Sequence, residues 1–246
     1  MPEVTVQFLG SGDALGSGGR FQACIAVSVA GAHLLLDCGA SSLIAMKRWG
    51  VDSSAVDAVI VSHLHGDHFG GIPFLVLDQQ FAGREQPLLV AGPPGVRQRV
   101  VEAMEVLFPG SARAERKFEL HFRELPERTQ TAVGPVTVTG YEVPHASGAP
   151  AYALRLECAG KVIAYSGDTE WTDALLQVAR GADLFVCEAY FFDKRVKNHL
   201  CYAELMQHVQ WLESQRVILT HLSADMLRRR SEITEEIAND GLTVVL

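Results

Sequence analysis

Three imidazoles and a carboxylate crowd into six residues, His63-Leu64-His65-Gly66-Asp67-His68, directly after the apolar run Val59-Ile60-Val61. Left without partners at a buried strand end, each of these groups costs about 1 to 3 kcal/mol. Imidazole and carboxylate together are the usual ligands of zinc and its divalent neighbours, and a strand end followed by a tight glycine turn aims several of them at one point. The segment therefore demands a fold in which a strand stops at a metal site and further ligands arrive from elsewhere.

The chain is long enough to supply them. Its 246 residues, 48% hydrophobic, can bury a substantial core, and one α/β domain spanning 1–246 is expected because candidate ligands are drawn from its whole length. A formal charge of -8 gives no global attraction to nucleic acid. The five cysteines, Cys24, Cys38, Cys158, Cys187 and Cys201, are odd in number and lack C-x-x-C spacing, as expected for reduced thiols in the cytoplasm. The start Met1-Pro2-Glu3 carries no leader pattern. The longest uncharged run, Phe21 to Leu36, is broken by Gln22, Ser28, Gly31 and His33, so a hairpin turning near Ala30-Gly31 is expected there and no membrane contact.

Periodicity predicts strands over Val4–Leu9, Phe21–Val29, His33–Asp37, Val56–Val61, Val136–Tyr141, Ala151–Glu157, Lys161–Ser166, Leu184–Glu188, Arg216–Leu219 and Leu242–Val245. Helical spacing links Val96, Val100, Met104 and Leu107 after Pro93-Pro94, and Tyr202, Leu205, Met206, Val209 and Leu212. Another helix is expected from Glu170, which offers Asp168 the alternative role of a capping residue. No internal repeat stands out.

The pattern H-x-H-x-D-H, followed by Pro144-His145, Ser166-Gly167-Asp168-Thr169 and Leu219-Thr220-His221-Leu222-Ser223, and preceded by Phe8-Leu9-Gly10-Ser11-Gly12, resembles the metallo-β-lactamase superfamily. The resemblance implies an αββα four-layer sandwich, the metallo-β-lactamase fold, with its site at one edge. It implies two divalent metal ions: His63, His65 and His145 hold one, Asp67, His68 and His221 the other, and Asp168 bridges them. Seven protein ligands exceed one tetrahedral ion and suit a pair about 3.5 to 4 Å apart, able to generate a bridging hydroxide near neutral pH. Zn2+ is the expected ion, and Mn2+ and Fe2+ accept the same ligands.

Within the superfamily the chain looks like the ribonuclease Z and phosphodiesterase group, in which a histidine in the region of His199 assists catalysis. Asp67 and His199 are thus the residues expected to act in catalysis, His199 as a general acid. The basic strip Lys194, Arg195 and Lys197 would stand beside it and bind phosphate. The group's His-Glu-Ala-Thr motif reads Cys187-Glu188-Ala189-Tyr190 here, leaving Glu188 to support the inner residues from behind. Only 22 residues separate His145 from Asp168 and read as two strands and a turn, so the RNA-gripping arm of ribonuclease Z is missing.

The expected activity is hydrolysis of small or cyclic phosphodiesters, with RNA disfavoured as a partner. The alternative is a ribonuclease Z-type endonuclease without the usual arm. Minor alternatives are an aryl sulfatase, thioesterase, lactonase or non-catalytic scaffold subunit. A homodimer is compatible with the resemblance. The loop Asp13 to Arg20 and the segment Phe69 to Phe74 are expected to line the pocket.

Overall fold

The computed structural model describes residues 2–246. Six strands come from the first half: β1 (Val4–Gly10), β2 (Cys24–Val29), β3 (Ala32–Leu36), β4 (Ala58–Ile60), β5 (Leu88–Gly92) and β6 (Leu120–Glu124). The second half contributes β7 (Thr131–Val133), β8 (Val136–Val143), β9 (Ala151–Cys158), β10 (Lys161–Tyr165), β11 (Leu184–Glu188), β12 (Val217–Thr220), β13 (Glu236–Ile237) and β14 (Thr243–Val245). They form two seven-stranded sheets, ordered β14-β1-β2-β3-β4-β5-β6 and β13-β12-β11-β10-β9-β8-β7. The expected helix at Val96 is present over Val96–Leu107, with Val100 and Met104 buried one and two turns on, while that at Tyr202 ends at His208.

The inner faces of both sheets meet in one apolar core, where Phe8, Ile25 and Leu36 share a cluster with Leu154, Ile163 and Val186. Numbered in chain order, the helices are α1 (Ser42–Arg48), α2 (Gly66–Phe69), α3 (Ile72–Ala82), α4 (Val96–Leu107), α5 (Ala174–Ala179), α6 (Tyr202–His208) and α7 (Ala224–Arg228). Residues of α1, α3 and α4 pack with the outer face of the first sheet, and residues of α5, α6 and α7 with that of the second. The four layers expected from the resemblance are the four layers observed.

A duplication hidden in the sequence organises the sheets. In each, two hairpin-linked antiparallel strands feed a run of parallel ones: β2-β3 then β4, β5 and β6, and β9-β10 then β11, β12 and β13. Both hairpins turn on an Ala-Gly pair with positive φ at both residues, Ala30-Gly31 and Ala159-Gly160, the two-residue geometry that matches strand twist. The carboxyl ends of the parallel strands carry the site, as in other open α/β sheets.

Two expectations need correction. The helix placed at Glu170 starts at Ala174 with Asp173 at its cap, so Asp168 caps nothing. Phe69 and Ile72 pack into the core beneath the first sheet's helices, and Phe74 meets Phe108 edge-on, so that segment buries itself rather than lining a pocket. All five cysteines are free and buried. Among the described residues no helix is long and apolar enough to cross a membrane.

Candidate metal centre

Strand ends from both sheets deliver the seven side chains named above to one place. Past β4 the chain runs through Ser62 and His63 to the short helix α2, which starts after His65 and carries Asp67 and His68. That helix is pressed against the exit of β3: the Cys38 amide donates to the His68 carbonyl at 2.6 Å and the Gly71 amide to the Cys38 carbonyl at 2.8 Å. A Cβ at Gly39 or Gly71 would run into the opposing backbone, so only glycine permits the approach. From the other sheet, Gly167 at φ 57 turns the chain sharply past β10 and presents Asp168. His145 follows β8, and His221 follows β12 with its own backbone at φ 58, a strained setting for histidine.

The donor atoms fall into two groups, His63, His65 and His145 in one and Asp67, His68, Asp168 and His221 in the other; within each group they lie within 4.8 Å of one another. His65 Nδ1 and His145 Nε2 are 3.0 Å apart. His68 Nε2 lies 3.3 Å from both Asp67 Oδ2 and Asp168 Oδ1, and His221 Nε2 lies 3.3 Å from Asp168 Oδ2. Asp168 Oδ2 also faces His63 Nε2 at 3.8 Å and His145 Nε2 at 3.9 Å, so this carboxylate stands between the groups. Neighbouring ligands on a tetrahedral zinc are about 3.3 Å apart, given bonds near 2.0 to 2.1 Å. His63 Nε2, His68 Nε2 and Asp168 Oδ1 are buried and have no hydrogen-bond partner among the described residues. Orphaned acceptors at these spacings fit a cation.

The hydrogen bonds behind the cluster fix which nitrogen faces inward. Asp37, fully buried and at φ 58, accepts from the Ser62 amide at 2.7 Å, the Ser62 hydroxyl at 2.8 Å, the Tyr165 hydroxyl at 2.8 Å and His68 Nδ1 at 2.6 Å. Because the Ser62 proton is given to Asp37, the 3.1 Å contact between Ser62 Oγ and His63 makes His63 Nδ1 the donor. His145 Nδ1 donates to the Asn198 carbonyl at 2.7 Å. Each of these bonds uses Nδ1 and leaves Nε2 for the centre.

Electrostatics match. Burial holds His63, His145 and His221 below the ordinary histidine range, as neutral donors. Asp67 and Asp168 are held below the usual carboxylate range although burial opposes it, Asp67 chiefly by His68 and Asp168 by His221 and His68. Burial works against a charged His68, yet Asp168, Asp37 and Asp67 outweigh it and hold its pKa well above normal. The cluster attracts positive charge, whether a proton or a metal ion.

His199 stands at the rim, on the irregular segment before α6, with its side chain 22% exposed and Nδ1 3.2 Å from Glu188 Oε2 and 4.0 Å from Asp168 Oδ2. Burial would lower its pKa, but the hydrogen bond and charge of Glu188 raise it to about 9. Glu188 is fully buried, its pKa raised to about 7 by desolvation, and also accepts from the Thr169 amide. In the basic strip Lys194, Arg195 and Lys197 are exposed; Arg195 pairs with Glu204 at 3.2 Å and Lys194 sits over the Phe191 ring. Sequence reasoning missed Asp37 and Asn198. A carboxylate directly after Leu34-Leu35-Leu36 was the signal for the first; the second acts through its carbonyl, which composition does not reveal.

Comparison with known proteins places this geometry. The family described as Anti-Pycsar protein Apyc1 matches residues 4–238. The chain belongs to that family. This family member is 24% identical to a protein named Ribonuclease Z from Lachnoclostridium phytofermentans, over 94% of this chain and 91% of the relative. Their alignment spans 284 positions but takes in only about 231 residues of this chain, so about 53 positions of the relative have no counterpart here. Among solved structures, the metallo-β-lactamase fold protein YhfI from Bacillus subtilis superposes with a TM-score of 0.80 at 20% identity, covering 99% of this chain and 100% of that one. Human tRNase Z, short form, superposes with a TM-score of 0.79 at 22% identity, covering 98% of each. The chain has the metallo-β-lactamase fold and is a metal-dependent hydrolase of the superfamily's ribonuclease Z and phosphodiesterase-like group.

Proposed function

We propose that the protein hydrolyses small or cyclic phosphodiesters with two divalent metal ions, held by His63, His65 and His145 on one side and by Asp67, His68 and His221 on the other, with Asp168 shared. The observation that carries this reading is Asp168, whose two oxygens face histidines of both groups at 3.3 to 3.9 Å. Zn2+ suits these mixed nitrogen and oxygen donors. When bound, such ions acidify a water and polarise a phosphoryl oxygen. The chain's own residues do the rest. Asp37, Ser62 and the Asn198 carbonyl hold three imidazoles with Nε2 inward, and His199, kept protonated by Glu188, stands ready to give a proton to the leaving oxygen. Because these groups come from both halves of the chain, residues 1–246 act as one catalytic unit.

The size of the substrate separates this reading from its competitor, a ribonuclease Z-type endonuclease, which the names of the relatives favour. Two features support the small substrate. The chain lacks about 53 positions of a ribonuclease Z relative, and two cations of its basic strip are already engaged, Arg195 by Glu204 and Lys194 by the Phe191 ring. Purified, metal-loaded protein is expected to turn over cyclic and small chromogenic diesters and to leave precursor transfer RNA intact. Specific cleavage of that RNA, with the steep salt dependence of phosphate-backbone contacts, would reverse the assignment.

A further inference from the structure

We infer that Tyr190 is a positioning residue for His199, its ring setting the plane in which the imidazole offers Nε2 to the leaving group; this rests on the phosphodiesterase reading above. His199 lies in a segment without regular structure and is tied by its ring to one partner, Glu188, at 3.2 Å. A single hydrogen bond fixes a distance and leaves the imidazole free to rock about the bond. The second restraint is the phenol ring of Tyr190, stacked on His199 with centroids 4.6 Å apart and planes 25° from parallel. Offset stacking at this separation is a preferred arrangement of aromatic pairs.

The stack is anchored at several points. The Tyr190 amide donates to the carbonyl of Leu200, the residue after His199, at 2.9 Å, so the two rings ride on segments joined beside them. The Tyr190 carbonyl accepts from the Ser223 amide at 3.1 Å, which ties it to the exit of β12 that delivers His221. Phe191 meets the Tyr190 ring edge-on at 4.8 Å. The His221 ring is nearly parallel to His199 at 5.7 Å and tilted 39° to Tyr190 at 5.9 Å. The rings of Tyr190, His199 and His221 thus form a triangle, and the Tyr190 ring, rather than its hydroxyl, makes the contact with His199.

The test compares Tyr190→Phe, Tyr190→Leu, His199→Ala and the Tyr190→Leu/His199→Ala double variant, all zinc-loaded, on aryl and alkyl phosphodiesters with leaving groups of graded basicity. Tyr190→Leu is expected to lower kcat for the most basic leaving group on the order of 10- to 100-fold, as small misplacements of a reacting group do. KM should stay within about threefold, because ground-state binding is untouched. Tyr190→Phe should restore most of the rate, and the double variant should be no slower than His199→Ala. The His199 ring resonances, assigned by their loss in His199→Ala, should keep their ring-current shift in Tyr190→Phe and lose it in Tyr190→Leu. Unchanged resonances in Tyr190→Leu overturn the inference, as does a loss equal for all leaving groups and additive with His199→Ala. If wild type cleaves no phosphodiester, the functional reading alone fails, and the resonances still decide the role of Tyr190.

Discussion

Replacing Asp168 by alanine is expected to reduce turnover by about a thousandfold or more while leaving a folded protein. Metal-assisted stabilisation of transition-state charge is worth several kcal/mol, and each 1.4 kcal/mol or so is a factor of ten in rate. Asp168 is the one carboxylate that faces both groups of histidines, so its loss disturbs both sides of the centre at once. Little structure depends on it. Asp168 Oδ1 has no hydrogen-bond partner among the described residues, and the turn that carries it is shaped by Gly167 and by the bond from the Thr169 amide to Glu188. Kinetics on the best diester, with circular dichroism as the control for folding, gives the answer. A variant that retains a tenth of wild-type activity would mean that Asp168 is not shared between ions.

Replacing His199 by alanine is expected to act selectively. General acid catalysis contributes about 100- to 10,000-fold when the leaving oxygen needs its proton, and little when it departs as a stable phenolate. Alkyl diesters should therefore slow by that amount, and nitrophenyl diesters far less. The pH profile carries the same signature. The acid works in its protonated form, and Glu188 raises the His199 pKa to about 9 against the pull of burial, so kcat for alkyl diesters should hold below that pH and fall above it. In the alanine variant that alkaline limb should vanish. Equal slowing of all substrates, or a limb that survives the substitution, removes His199 from this role.

How much of the site the sequence disclosed follows from how local each part is. His63, His65, Asp67 and His68 are legible because one turn of chain holds them all. His145, Asp168 and His221 are ordinary loop residues taken singly, and only their order, shared with a known family, marks them. Asp37 depends on pairing: the parallel register that sets Leu36 beside Ile60 brings the residue after β3 to Ser62 and His68, contacts 25 and 31 positions away. Tyr190 depends on the crossing of two segments that no periodicity connects.

The fold divides in the same way. α4 is visible in its i, i+4 spacing, whereas α3 is nearly continuous in apolar residues from Ile72 to Leu77 and shows no helical face. β6, an edge strand with alternating exposure to solvent, lacks the apolar content that marks a strand. The duplicated topology leaves only two Ala-Gly turns as its trace, because the halves are matched in strand order and not in side chains. In the basic strip the sequence shows the charges and not their partners: Arg195 pairs with Glu204, nine positions on.

Metal analysis of purified protein, combined with anomalous diffraction at the absorption edge of the bound element, tests the central claim most directly. The expected result is two ions per chain, one among His63, His65 and His145, the other among Asp67, His68 and His221, with Asp168 touching both, lost to chelator and regained with activity on reloading. A single ion, or protein that neither contains nor takes up metal while its fold is intact, would contradict it.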